Sequence, residues 1–116
     1  MKLLEALEQL NIDTKTLLER FSGNTALLER FILKFPQDKT FESLCTAVEV
    51  LDYDNMERTA HTLKGIAANL SFDNLYQACT QMVSHLRQTE LQAALADFQT
   101  IKKEYNTVIQ TIAIIN

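Results

Sequence analysis

The sequence predicts an all-α protein, an antiparallel four-helix bundle preceded by short N-terminal helices, and three observations predict it. Apolar residues recur at steps of three and four nearly from end to end. Only two glycines (Gly23, Gly65) and one proline (Pro36) occur in 116 residues, whereas a β-sandwich or barrel needs a turn every ~8–12 residues. The chain is 47% hydrophobic and 22% charged, enough for one core. No repeat, composition shift or Pro/Ser-rich linker divides it, so residues 1–116 are expected to form a single domain.

Each element follows from its own spacing. Leu3, Leu4, Leu7 and Leu10 predict a short opening helix. Asp13 is placed to cap a second, with Leu17, Leu18 and Phe21 inward and Gly23 ending it in a left-handed turn. Asn24 or Thr25 starts a third, carrying Leu27, Leu28, Phe31, Ile32 and Phe35. Pro36 interrupts the backbone ladder, and the stripe resumes at Phe41, Leu44, Cys45, Val48 and Leu51. Asp52 is the expected N-cap of the next helix, which runs to about residue 70. Beyond Ser71 to Asn74, a further helix carries Leu75, Ala78, Cys79, Met82, Val83 and Leu86. Thr89-Glu90-Leu91-Gln92 has the form of a capping box, in which hydroxyl and amide satisfy each other's orphan backbone donors. The last helix follows, with Leu91, Leu95, Phe98, Ile101, Tyr105, Val108 and Ile112 at steps of three or four.

The same composition excludes several functions. No P-loop or G-x-G-x-x-G turn can be written with two distant glycines, so no ATP-dependent kinase activity is expected of this chain. Eleven basic and fifteen acidic residues give a net charge of −4 without a basic block, so nucleic acid is not an expected partner. Cys45 and Cys79 match no metal or redox spacing and read as small buried hydrophobes. Glu5 and Glu8 interrupt what would be a signal sequence, and no apolar run approaches the ~18 residues of a membrane span. A cytoplasmic protein without membrane contact is expected. A start at Met1 with an opening helix favours a free-standing chain.

The informative segment is the helix around His61. At about 100° per residue, Met56, Ala60, Leu63, Ala67 and Leu70 project within ~40° of one direction. His61 points well over ~90° from the centre of that stripe, towards solvent. Arg58, Lys64, Gly65 and Ala68 share its outward face. A mid-helix glycine costs roughly 1 kcal/mol relative to alanine, and neither a turn nor a cap explains Gly65. Its position one turn beyond His61 removes bulk beside the imidazole, and Ala68 extends the low patch. Lys64 supplies a cation within reach of anything attached to the ring. These features together describe a phosphoryl acceptor, in which a neutral imidazole attacks phosphorus and a nearby cation takes the charge on the equatorial oxygens.

Ala60-His61-Thr62-Leu63-Lys64-Gly65 resembles the His-x-Leu-Lys-Gly signature of histidine-containing phosphotransfer (HPt) domains. Ile12-Asp13, the run from Leu17 to Asn24 and the Leu27-to-Phe35 stripe resemble that family's N-terminal half, so the likeness covers about residues 10–112. The resemblance implies an antiparallel four-helix bundle with His61 as the phosphorylated residue, Lys64 as its electrostatic partner and Gly65 as a cleared docking position. It implies exchange of the phosphoryl group with the aspartate of a response-regulator receiver domain, which brings its own Mg²⁺; this chain is expected to hold no cofactor or metal. A hybrid sensor histidine kinase is a further expected partner, and the chain is expected to be monomeric. Arg58, Ala68, Asn69 and Phe72 are the expected docking residues, with Phe72 partly exposed.

This sequence departs from the family pattern twice. Ser71 stands where the family commonly has glycine, which strains the backbone if φ is positive there, unless Ser71 caps the next helix. Val83 stands near where the family often places a polar residue facing the active histidine, leaving Gln77 and Gln81 as substitutes. Two other readings compete: a non-catalytic helical adaptor docking through the Gly65/Ala68 patch, and a metal site drawn from His61, His85, Cys45 and Cys79. His85 lies off its helix's apolar stripe and reads as a solvated surface histidine. Tyr53, Tyr76 and Tyr105 read as amphipathic rim residues.

Overall fold

The computed structural model describes residues 1–116, with seven α-helices and no strand. They are α1 (Leu3–Glu8), α2 (Thr14–Arg20), α3 (Thr25–Lys34), α4 (Thr40–Glu49), α5 (Tyr53–Asn69), α6 (Asp73–Arg87) and α7 (Leu91–Ala113), with a 3₁₀ turn, Phe35–Gln37, between α3 and α4. The N-terminal starts are set by the side chains that the sequence offers. The Asp13 carboxylate accepts from the Thr16 amide at 3.1 Å, the Asn24 side-chain oxygen from the Leu27 amide at 3.0 Å, and the Asp52 carboxylate from the Asn55 amide at 3.2 Å. Pro36 falls in the 3₁₀ turn, where the apolar stripe breaks as its missing N–H requires.

The long helices are joined by three-residue turns of one design. In Val50–Asp52, Leu70–Phe72 and Gln88–Glu90 the middle residue is left-handed: Leu51 at φ +56°, Ser71 at +60° and Thr89 at +60°. The third residue's amide then reaches back five residues, Asp52 to the Ala47 carbonyl (2.9 Å), Phe72 to Ala67 (2.9 Å) and Glu90 to His85 (2.8 Å). These are Schellman closures built without glycine. They correct one expectation and decide between two alternatives. Thr89 closes α6 rather than capping α7, whose start at Glu90 has no side-chain cap, so the capping box does not form. Ser71 does not cap α6 either; it occupies the positive-φ position itself.

Such tight reversals fold each helix back on the one before. Helix α4 packs on α5, α5 on α6 and α6 on α7, while Phe41 of α4 stacks on Tyr105 of α7 with ring centroids 3.9 Å apart. The result is a helical bundle of 41 × 22 × 19 Å. One apolar core runs through it from Leu3 and Leu7 of α1 to Ile112 of α7, with Met56, Leu63, Met82 and Ile101 fully buried. The short helices α2 and α3 lie over the end of the bundle where α5 finishes, and Arg20 closes that end. Its guanidinium donates to the Ala68 carbonyl at 2.6 Å and to the Ser71 hydroxyl at 3.2 Å. No helix is long and apolar enough to cross a membrane.

Candidate functional site

Helix α5 turns one stripe inward and leaves the opposite face bare. Met56, Ala60, Leu63 and Ala67 are buried against α4 and α6, and His61 is exposed on the far side. Its imidazole makes no hydrogen bond within the chain, while the neighbouring hydroxyls are engaged locally. Thr59 donates to the Asn55 carbonyl at 2.7 Å and Thr62 to the Arg58 carbonyl at 3.0 Å. Both ring nitrogens of His61 are therefore free for an incoming group.

Lys64 sits half-buried one turn further on. Its charge is felt by the Cys79 thiol of α6, which burial nonetheless pushes up to about 12. Cys79 is accordingly an inert core thiol, and burial also raises Cys45. A Cβ placed on Gly65 meets nothing within 4 Å, so the glycine is required neither by its backbone, which has no positive φ, nor by packing inside the chain. Arg58 and Asn69 are exposed and Ala68 is half-buried on the same side. Asn69 also lines a groove of about 490 Å³ with Phe21, Phe31 and Ile66.

Three expectations are corrected here. Phe72 is 2% exposed, with its ring edge-on to Phe35 at 5.1 Å between centroids; the Schellman turn tucks it under the end of α5, so it is a core residue and not a docking hydrophobe. Gln77 and Gln81 face away from His61, lining a groove with Asp97, Thr100 and Glu104 of α7. His85 is not simply solvated: Nδ1 bonds the Asp97 carboxylate, and Nε2 lies 3.6 Å from Glu90. The hydrogen bond to Asp97, with the charges of Asp97 and Glu90, raises its pKa above the usual 6.5. Cys79 is buried in the core while His61 faces outward, and no three His, Cys, Asp or Glu side chains converge on a common point.

Sequence reasoning missed two residues that shape this face. Glu57, one turn before His61, pairs with Arg87 of α6 at 3.2 Å. Arg20 reaches the last turn of α5 from a helix some fifty residues earlier in sequence. The position of Glu57 at i−4 was a readable signal; the partnership of Arg87 and the reach of Arg20 depend on how the helices pack.

Helix α5 thus presents an unengaged imidazole, with a cation one turn on and open space beside it. The family model described as Hpt domain matches residues 26–111, and the chain belongs to the Hpt domain family. A search of curated proteins and one of solved structures each return no match. Membership implies histidine phosphotransfer in phosphorelay signalling, and Hpt domains in general interact with response-regulator receiver domains.

Proposed function

We propose that His61 is the phosphorylated residue, accepting the phosphoryl group from the aspartyl phosphate of one receiver domain and passing it to the aspartate of another. The observation that carries this reading is the exposed imidazole with no partner in its own chain, with Lys64 and open Gly65 both one turn further along the helix. The Nε2 lone pair forms the N–P bond as the P–O bond to the receiver aspartate breaks, and the electron pair leaves with that carboxylate. Lys64 neutralises charge on the equatorial oxygens. The receiver contributes the Mg²⁺ and the chain itself needs no cofactor. Gly65, Ala68, Arg58 and Asn69 form the docking face, where the absent side chain at 65 lets the receiver's backbone approach. The carrier acts as a monomer in the cytoplasm, because each step needs only one acceptor face and a diffusing receiver.

Single-turnover transfer from a phosphorylated receiver to the wild type and to His61→Gln tests this. Transfer to the wild type and none to His61→Gln, with receiver binding retained by both, is the expected result. Binding by both with transfer to neither would favour the adaptor reading, in which the Gly65/Ala68 patch docks a signalling partner without chemistry.

A further inference from the structure

Resting on the reading of His61 as phosphoryl acceptor, we propose that Glu57 is its positioning residue, accepting the Nδ1 proton and thereby directing Nε2 outward as the nucleophile. Side chains one helical turn apart are neighbours, and His61 has four such positions: Glu57, Arg58, Lys64 and Gly65. Arg58 and Lys64 are donors only and Gly65 has no side chain, so Glu57 alone supplies an acceptor. Side chains on a helix lean towards its N-terminus, which carries the His61 ring over the turn of Glu57 and the Lys64 ammonium over the turn of His61. The ring is thus set between an acceptor on one side and a cation on the other.

The packing of α6 holds this arrangement in place. Arg87 Nε donates to one Glu57 oxygen, Oε2, at 3.2 Å. The other oxygen has no partner within the chain. Across the α5–α6 contact Val83, which stands near where the family often places a polar residue, is apolar and 2% exposed and offers no acceptor. In the free chain Glu57 and His61 are both open to water. A docked receiver excludes that water, and the carboxylate then becomes the partner at hand for Nδ1–H. During transfer the ring keeps its Nδ1 proton and gains one positive charge as the N–P bond forms; the Glu57 carboxylate stabilises that charge.

The test reads the tautomer of His61 and not activity alone. Nitrogen-15 shifts of the ring are recorded in the full chain bound to a receiver loaded with beryllofluoride and Mg²⁺, for the wild type, Glu57→Ala, Glu57→Gln and Arg87→Met. The expected wild-type ring is protonated on Nδ1. Glu57→Ala loses that bias and transfers roughly ten- to a hundredfold more slowly, the equivalent of one hydrogen bond to a charged group, with receiver affinity unchanged. Glu57→Gln, whose amide oxygen still accepts, and Arg87→Met, which keeps the carboxylate, retain most of the bias. An unchanged tautomer and rate in Glu57→Ala overturns the positioning role while the acceptor reading stands. Equal losses in Glu57→Ala and Arg87→Met overturn it too, since they would trace to the α5–α6 pair and not to the imidazole. Wild type that never transfers overturns the acceptor reading itself.

Discussion

Gly65→Ala should make the protein more stable and a worse carrier at once. Glycine within a helix costs roughly 0.5–1 kcal/mol relative to alanine, through the extra freedom of the unfolded chain. The added Cβ meets nothing within 4 Å, so no clash offsets the gain. For 116 residues the unfolding entropy is about 0.24 kcal/mol/K, so this gain raises Tm by ~2–4 °C. The methyl group projects from the face that carries His61, where the proposed docking brings a receiver's backbone close. Gly65→Leu extends the obstruction further into that space. Thermal unfolding followed by circular dichroism reads the first effect, and single-turnover phosphoryl transfer reads the second. Transfer should fall in the order Gly65, Ala, Leu while Tm does not fall for Ala. A lower Tm for Gly65→Ala would refute the open environment; undiminished transfer in both variants would refute the docking role.

Further outcomes follow from the helix ends and the core. Leu51→Gly, at φ +56° and half-exposed, should stabilise by ~0.5–1 kcal/mol because glycine adopts the left-handed region without a Cβ penalty; a fall in the urea midpoint would contradict this. Phe72→Ala removes a ring buried against Phe35 and should cost about 3–5 kcal/mol, lowering Tm by well over 10 °C; a small change in Tm with weakened receiver binding would instead return Phe72 to the docking surface. His85 has its folded-state pKa raised above 6.5 by the Asp97 hydrogen bond, so its contribution is fully present below pH 6.5 and fades as pH rises through the raised value. His85→Gln should therefore lower Tm more at pH 5.5 than at pH 9 on the general footing of proton linkage, and a gap that widens with pH would contradict the assignment.

The parts of this molecule that were legible in its sequence are those set by local chemistry. Asp13, Asn24 and Asp52 announce their helices because a short acceptor side chain one position before an apolar stripe satisfies orphan amides. The outward direction of His61 follows from helical period alone, since the buried stripe of α5 fixes the opposite face. The turns were harder to read. Left-handed residues are expected to be glycine, yet Leu51, Ser71 and Thr89 all take that conformation, held by the closing amide bonds five residues back. Thr89 is the clearest case: its position matched a capping box, but the turn drew it into the left-handed region and its side chain off the helix start. Phe72 was misread for the same reason, because the sharpness of the turn at Ser71 decides whether the next ring faces water or Phe35. The pairs Glu57–Arg87 and His85–Asp97 join different helices, and no spacing along one helix encodes them.

The most direct test of the carrier reading is to locate the phosphoryl group. The full chain is incubated with a phosphorylated receiver and Mg²⁺, its intact mass is recorded, and the modified residue is mapped by peptide fragmentation at neutral or alkaline pH. One phosphoryl group on His61, lost on brief acid treatment and absent from a folded His61→Ala variant, is the predicted result. An adduct that survives in His61→Ala, or maps to His85, would contradict the account.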